Sequence, residues 1–413
     1  MPRYTNRWKA LLFSTLVMML VAGAVACGSE DPTPTSPPPP TATPVPVAAP
    51  TATPVPAAPS EPDPTPTPAP PAWEAEWEQT VAAAEAEGQV VVIVPPSEAR
   101  QESVELFREK FPNIELITEP GHIRNFGQSV AQEQDAGIYQ YDVCYGCVGT
   151  TVYNQWLPVG RVVNIREQLI LPEVVDESKW LGGFELAYAD TNNTHMFGFV
   201  ANRGQPTLYV DRSVIPESEL PAAVSLAELA NPKWKGMLSW NDPSRPGGGS
   251  TVPAAMIVFD LEAELRSIFP GQEYLITASN QETTEFLVRG KTPMAIGIDR
   301  VSLIEFQQQG VGEQIVGVPF TEYVQESYGF GVLTILNNAP NPNAARVFAN
   351  WWLTQEAQAN HTEITLDQSR RVDVEGSAIS SELAPGQEVL NMQLEVNNVH
   401  RTKSQALIAE LLN

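Results

Sequence analysis

From residue 73 onward, short apolar runs alternate with amphipathic stretches, the rhythm of an α/β protein. An acidic, Ala-rich segment at 73–87 predicts a helix closed by Gly88. Gln89–Val94 (QVVVIV) predicts a buried β-branched strand stopped by Pro95 and Pro96. Residues 98–110 place Val104, Leu106 and Phe107 on one helical face, and 114–118 give a second strand. Strand, helix and strand within some thirty residues make the βαβ unit of a parallel sheet. The alternation continues with a helix at 127–135, a strand at 141–144, a helix at 150–157 and a strand at 196–201. Beyond these come a helix at 225–229, a strand at 237–240 and a Gly-rich turn at 242–249 that opens another helix. Strands at 294–298 and 331–336 follow, then a helix at 342–358 carrying Val347, Phe348, Trp351 and Trp352. Trp351 and Trp352 could form a sugar platform, but beside Val347 and Phe348 at least one is expected in the core.

Residues 31–72 break this rhythm. They hold 18 of the 38 prolines, contain no Lys or Arg, and nearly repeat themselves as TATPVPVAAP and TATPVPAAP. Such composition cannot form a core and favours polyproline II, which at about 3.1 Å per residue could reach roughly 100 Å. The segment reads as a stalk. In front of it, a basic start (Arg3, Arg7, Lys9), an apolar run at 10–26 and small residues before Cys27 read as an export signal. Gly28 and Ser29 after a lone Cys27 favour lipid attachment at that thiol; a retained membrane anchor is the plainer alternative. Either reading puts the rest of the chain outside the cytoplasm.

Acidic residues outnumber basic ones 49 to 24, for a net charge of −25. The Lys and Arg residues are scattered, whereas a nucleic-acid surface needs them clustered. No nucleic-acid partner is expected.

Four segments resemble the solute-binding proteins of bacterial ABC importers, in the branch that includes periplasmic ferric-ion-binding proteins. They are LANPKWKGMLSWNDPSRPGGGST (229–251), LVRGKTPMAIGIDR (287–300), YGFGVLTILNNAPNPNAARVFANWWLTQEAQ (328–358), and the opening βαβ with its DVCYGC strand end (142–147). The resemblance covers about residues 88–375 and implies the two-lobed type II periplasmic-binding-protein fold, with hinge strands and an interlobe cleft. The expected organisation is a signal peptide at 1–26, a lipid-anchored linker at 27–72 and a solute-binding domain at 73–413. Lobe 1 then spans about 88–195 plus part of 325–413, and lobe 2 about 203–322. The hinge is expected near 199–202 and 326–330, with Tyr328 facing the cleft.

In parallel α/β sheets, ligands collect beyond the carboxyl ends of the strands, where helix N-termini offer N–H donors. That rule selects the loops at 95–98, 146–151, 245–251 and 299–302. The resemblance implies that iron-binding relatives draw a His from the first loop, a Glu from the second and a tyrosine pair from the last. Here Ser97 and Glu98, Cys147, and Asp299 with Arg300 stand in those places, and no Tyr-Tyr occurs. A cation at Arg300 repels bare Fe³⁺, so no metal is expected, although a ferric ion or chelate stays open as the alternative cargo. Gly249, Ser250 and Thr251 offer backbone N–H groups and hydroxyls without bulk. Arg300, with Arg245 as a weaker candidate, could clamp a carboxylate or phosphate. Tyr145 and Tyr153 flank the second loop as cleft aromatics.

Cys144 and Cys147 form a C-x-x-C. In an oxidising location a structural disulfide is the expected state, with redox chemistry or zinc as alternatives. The histidines His122, His195, His361 and His400 show no ligand spacing. Gly290-Lys291-Thr292 resembles a P-loop end but has Glu285 at the first Gly position. No G-x-S-x-G occurs, so a secreted hydrolase would have to use carboxylates that no motif singles out. The combined expectation is a monomeric, non-enzymatic receptor without cofactor. It would bind a small polar or anionic organic solute (carboxylate, phosphate ester or phosphonate). Its other partners would be the transmembrane subunits of an ABC permease and, through the N-terminal lipid, the membrane. A surface adhesion module is the rival without a small-molecule site.

Overall fold

The β-branched run Gln89–Val94 is a strand paired on both sides in a computed structural model that describes residues 71–121, 123–378 and 388–412. The export signal, Cys27, almost all of the Pro-rich segment and His122 lie outside the described residues. In chain order the strands are β1 (Gln89–Val94), β2 (Glu115–Pro120), β3 (Val143–Tyr145), β4 (Phe197–Gly198), β5 (Asn202–Arg203), β6 (Leu208–Asp211) and β7 (Leu238–Asn241). Then come β8 (Leu275–Thr277), β9 (Met294–Ile296), β10 (Ile315–Val318), β11 (Val324–Ser327), β12 (Val332–Ile335) and β13 (Val389–Leu390).

Two five-stranded sheets define two α/β lobes. The first runs β2-β1-β3-β12-β4, with β1 parallel to β2 and β3, and β12 antiparallel to both neighbours. The second runs β10-β6-β9-β7-β8, with β7 parallel to β8 and β9, and β6 antiparallel to β9 and β10. Each has its own core. Val90, Val92 and Val94 pack with Phe107, Phe348, Trp351 and Trp352 in the first. Leu238, Trp240, Met294 and Ile296 pack with Val252, Met256 and Ile408 in the second. Both late tryptophans are therefore core residues, which leaves no exposed sugar platform there.

The chain crosses between lobes along β5 and back along β11, which pair antiparallel with Asn202 opposite Ser327 and Arg203 opposite Glu326. Parallel β13 completes this small hinge sheet. A third passage follows β13. Residues 391–397 attach to the first lobe, where the Glu395 N–H donates to Ala189 O (2.8 Å) and the Thr191 N–H to Glu395 Oε2 (2.7 Å). The C-terminal helix Asn398–Leu412 then packs in the second lobe, with Leu407 and Ile408 in its core.

Two of the motifs behind the resemblance are structural. In the NPKWKG block, Asn231 Oδ1 accepts from the Lys233 N–H (3.2 Å), and buried Trp234 donates to Glu228 (3.0 Å) just ahead of β7. At the start of helix Pro342–Trp352, Glu87 accepts from the N–H groups of Asn343 (3.1 Å) and Ala344 (2.8 Å), placing a carboxylate at the helix's positive end. Asp142 accepts from Val91 N–H and Asn341 N–H, both at 2.7 Å, tying β1 to the same corner.

Several elements differ from the sequence pattern. The helix expected at 98–110 is two helices, Glu98–Ser103 and Leu106–Lys110, and that expected at 342–358 breaks at Leu353 before Thr354 caps Gln355–Thr365. The segment at 150–157 carries a π-helical stretch, Val152–Trp156, and Leu226–Ala230 is a 3₁₀ helix.

Candidate functional site

Asn241 ends β7 and Gly297 follows β9, and both meet the Gly-rich turn. A Cβ on Gly249 would lie 1.8 Å from the Asn241 carbonyl oxygen, and one on Gly297 (φ +79°) 2.8 Å from Asn241 Cβ. The sequence puts glycines here because backbone packs on backbone. The turn forms a 3₁₀ segment, Gly248–Ser250, that runs into helix Thr251–Val258. Asn241 is 1 % exposed, yet neither its Nδ2 nor its Oδ1 has a hydrogen-bond partner; Asn280 Oδ1 is likewise buried and unpartnered. A buried amide left unpaired costs free energy, and at a strand end it marks a place where a ligand would supply the missing partner. Gly249→Ala is expected to cost about 2 kcal/mol, because its Cβ meets backbone that no rotamer change relieves. Urea unfolding checks it, and an unchanged midpoint would show that the turn relaxes freely.

The facing wall belongs to the first lobe and the hinge. Ser97 caps helix Glu98–Ser103 by accepting from the Arg100 N–H (3.3 Å) and also accepts from its guanidinium (3.2 Å); Glu98 is exposed. Arg100 lies over the Phe330 ring (4.5 Å) and pairs with buried Asp367 (3.4 Å), which also accepts from Asn202 Nδ2 (2.8 Å). Burial pushes the Asp367 carboxyl up, but Arg100, His361 and the Asn202 bond outweigh it and hold the carboxyl below the ordinary range. From the second lobe, Asp299 caps helix Arg300–Gln308 by accepting from the Val301 N–H (3.1 Å). Arg300 reaches across to donate to Leu366 O (2.8 Å), at the C-terminal cap of helix Gln355–Thr365.

Several expected site residues lie elsewhere. Tyr328 is fully buried, its hydroxyl donating to Leu186 O and Tyr188 O (both 3.3 Å), so it does not face the cleft. It fills the space that Gly198 leaves, where a Cβ would lie 2.2 Å from its ring. Tyr145 is buried against Phe199, Trp352 and His361. Cys147 is buried and joined to Cys144 in a disulfide with a Cα–Cα distance of 5.8 Å. These side chains close the core under the strand ends, with the Tyr145 hydroxyl buried and unpartnered there as the Asn241 amide is in the second lobe. Arg245 is an exposed partner of Asp242 (3.1 Å), not a cleft cation. Tyr153 is 4 % exposed and bonded to Ala189 O and Gln393 O. Gly249 and Ser250 are buried in the turn, while Thr251, Ser97, Asp299 and Arg300 are half-buried.

Sequence reasoning missed Arg100, Asn202, Asn241, Asn280 and Asp367. Asn241 and Asn280 stand at a strand end and a helix start, the positions the strand-end rule selects; the others are joined only by the fold. A separate cavity of about 330 Å³ lies on the β5–β6 and β10–β11 connections, lined by Pro206, Phe320, Tyr323 and Gln325 among others, and no sequence-predicted site residue lines it. Among the described residues, no group of three or more His, Cys, Asp or Glu is placed to hold a metal ion, and no helix is long and apolar enough to cross a membrane.

Solved structures share this architecture. The open-conformation ferric iron-binding protein A of Mannheimia haemolytica is 16% identical, with a TM-score of 0.57 over 78% of this chain and 98% of its own. The substrate-binding protein of an ABC transporter from Agrobacterium tumefaciens is 14% identical, with a TM-score of 0.62 over 79% and 94%. A periplasmic binding protein from Actinobacillus pleuropneumoniae, solved with fructose-6-phosphate, is 17% identical, with a TM-score of 0.56 over 78% and 97%. No family model and no curated protein matches the chain. The fold is that of the two-lobed periplasmic binding proteins.

Proposed function

We propose that the protein is the extracytoplasmic solute receptor of an ABC importer and captures a small polar or anionic organic solute, a carboxylate, phosphate ester or phosphonate, by lobe closure. The observation that carries this reading is the second-lobe cradle, where the Gly248–Thr251 turn at a helix start meets the buried, unpartnered amide of Asn241. Amide donors, hydroxyls and helix N–H groups suit anionic oxygens. Thr251, Asn241, Asn280, Arg300 and Asp299 would meet the solute from one lobe, and Ser97 from the other. The Actinobacillus neighbour, with its bound sugar phosphate, supports a phosphate ester. The iron-binding neighbours support the ferric alternative, but Ser97 and Glu98, Cys147, and Asp299 with Arg300 stand where the resemblance calls for a His, a Glu and a tyrosine pair.

Closure is a population shift. A solute that touches both lobes only when they are shut favours the closed form by its differential affinity, and the permease would recognise that form. The Arg300 bond to Leu366 O joins the two lobes directly. Cys27 would carry the lipid, and the Pro-rich stalk would hold the receptor off the membrane.

Native mass spectrometry of gently purified full chain, followed by thermal shift with the recovered compound, tests the reading. One retained organic anion per chain, returned unchanged and raising the melting temperature, is the expected result. At a hundredfold excess over Kd the stabilisation is about 2.7 kcal/mol. A retained metal or neutral sugar alone would overturn the anion assignment, and a chemically altered compound would favour a hydrolase.

A further inference from the structure

The C-terminal helix brings in a charge that the two-lobe scheme leaves unexplained. Arg401, on its first turn, is 4 % exposed. The other deeply buried arginines are each compensated by a carboxylate: Arg370 by Glu326, Arg371 by Asp373, Arg100 by Asp367. Arg401 has no such partner among the described residues. It donates only to neutral acceptors, Met392 O (3.4 Å), Gly247 O (3.3 Å) and Ser250 Oγ (3.1 Å), and its Nε–H has no partner.

An arginine cannot shed its proton to escape burial, and an unpaired buried ion is strongly unfavourable. An anionic group brought to the turn would answer that charge. Two of Arg401's three acceptors belong to the Gly-rich turn. The seam between lobes runs past it: residues 391–397 attach to the first lobe, and Tyr153, also of the first lobe, is the titratable group that acts on its charge. The turn remains reachable from the other side, since Gly248 is exposed and Thr251 half-buried.

The Ser250 and Thr251 N–H groups are used within the turn, on Gly247 O and Gly248 O. We propose that Arg401 is the fixed positive charge of the solute site, compensating from behind the turn an anionic group that the Gly248 and Gly249 N–H groups and the Ser250 and Thr251 hydroxyls hold from the front. This rests on the receptor reading above and deepens it by requiring a solute that carries at least one full negative charge at the second lobe. Arg401 is a positioning and charge-compensating residue, because Ser250 stands between it and the turn's open side. Ser250 Oγ accepts from Arg401 while its own proton goes to Gly247 O (2.9 Å), so that proton can turn to a bound oxygen without unseating the guanidinium.

The test uses the full chain and two variants, R401M and R401K, with inorganic phosphate and acetate as probes at tens of millimolar. Wild type is expected to show an anion-dependent rise in melting temperature. R401M is expected to lose it, with apparent affinity down about tenfold or more, while its anion-free melting temperature stays level or rises. R401K, which keeps the charge, should retain most of the response. A merely structural staple would instead lower the anion-free melting temperature of both variants and leave the anion response intact. If wild type responds and R401M responds equally, the Arg401 assignment falls and the receptor reading stands. No response in wild type to either probe overturns both. Should R401M fail to fold, an R401K response weakened tenfold, or an R401Q response equal to wild type, overturns the assignment.

Discussion

Replacing Glu326 by Gln is expected to lower the unfolding free energy by about 3–5 kcal/mol. Glu326 is 6 % exposed on hinge strand β11 and joins two guanidinium groups: Arg203, opposite it on β5, through Nη2 (2.6 Å) and Nε (3.0 Å), and Arg370 through Nη2 (2.5 Å). Gln keeps the shape but removes the charge and turns an N–H₂ toward one arginine, leaving buried Arg370 and half-buried Arg203 without a counter-ion. Burial by itself raises the Glu326 carboxyl, but Arg370 and Arg203 more than offset it and hold it below the ordinary glutamate range. Its folded pKa is thus depressed. The stability it contributes is complete above the unfolded value of about 4.3 and is lost as pH falls below that through the folded value. Urea unfolding at pH 7 measures the loss. E326Q/R370M should recover part of it, because the second change removes one orphaned charge. A loss under about 1 kcal/mol in E326Q would mean that water reaches the pair and the hinge is not fixed by it.

The placement of that network shows what a sequence can and cannot disclose. The first lobe was legible because β1 and the Trp-bearing helix are long, strongly patterned runs. The second lobe was harder. Strands β6, β8 and β10 are three or four residues long, with Leu208–Asp211 ending on an aspartate and Ile315–Val318 partly exposed, so no period develops. Helix breaks at Val104 and Leu353 were hidden because the residues on either side remain good helix formers facing the same core.

At the site, the Gly-rich turn announced itself by composition, and Asn241 lay inside the 229–251 segment. Tyr145 and Tyr328 were misplaced for one shared reason. Both adjoin strand ends, and from sequence a ring there can turn outward to a ligand or inward to the core; glycine at 198 and the Phe199–Trp352 cluster decide for inward. Arg100 and Asp367 are 267 residues apart, and Arg401 and Ser250 151 apart. No local pattern encodes such pairings. The strongest charge-bearing contacts, at the hinge and behind the turn, were therefore the least legible.

His361 gives the second large effect, read as a dependence on pH. It is fully buried among the rings of Tyr145, Phe199 and Trp352, with centroids 5.8, 5.4 and 5.3 Å away. Burial pushes its pKa down to about 4; Asp367 pulls the other way, and Arg100 adds to the depression. The unfolded chain binds this proton at about 6.5. Neutral His361 is thus favoured by the fold, and the stability it represents is present above pH 6.5 and lost as pH falls toward 4, about 3 kcal/mol over the whole window. Between pH 7 and pH 5 the loss is about 2 kcal/mol. His361→Phe keeps an aromatic ring in the aromatic cage and removes the titration. It strands no neighbouring hydroxyl, since Thr365 Oγ1 still donates to the backbone carbonyl of residue 361 (2.8 Å) and Ser103 Oγ to Arg100 O (2.8 Å). The variant should unfold at nearly the same urea midpoint at pH 7 and pH 5, apart from carboxylate effects common to both proteins, while wild type becomes markedly weaker at pH 5. Parallel losses in the two would show that protonation of His361 is met by Asp367 at little cost, so that acid loosens this wall of the first lobe only when the Asp367–Arg100 pair itself titrates.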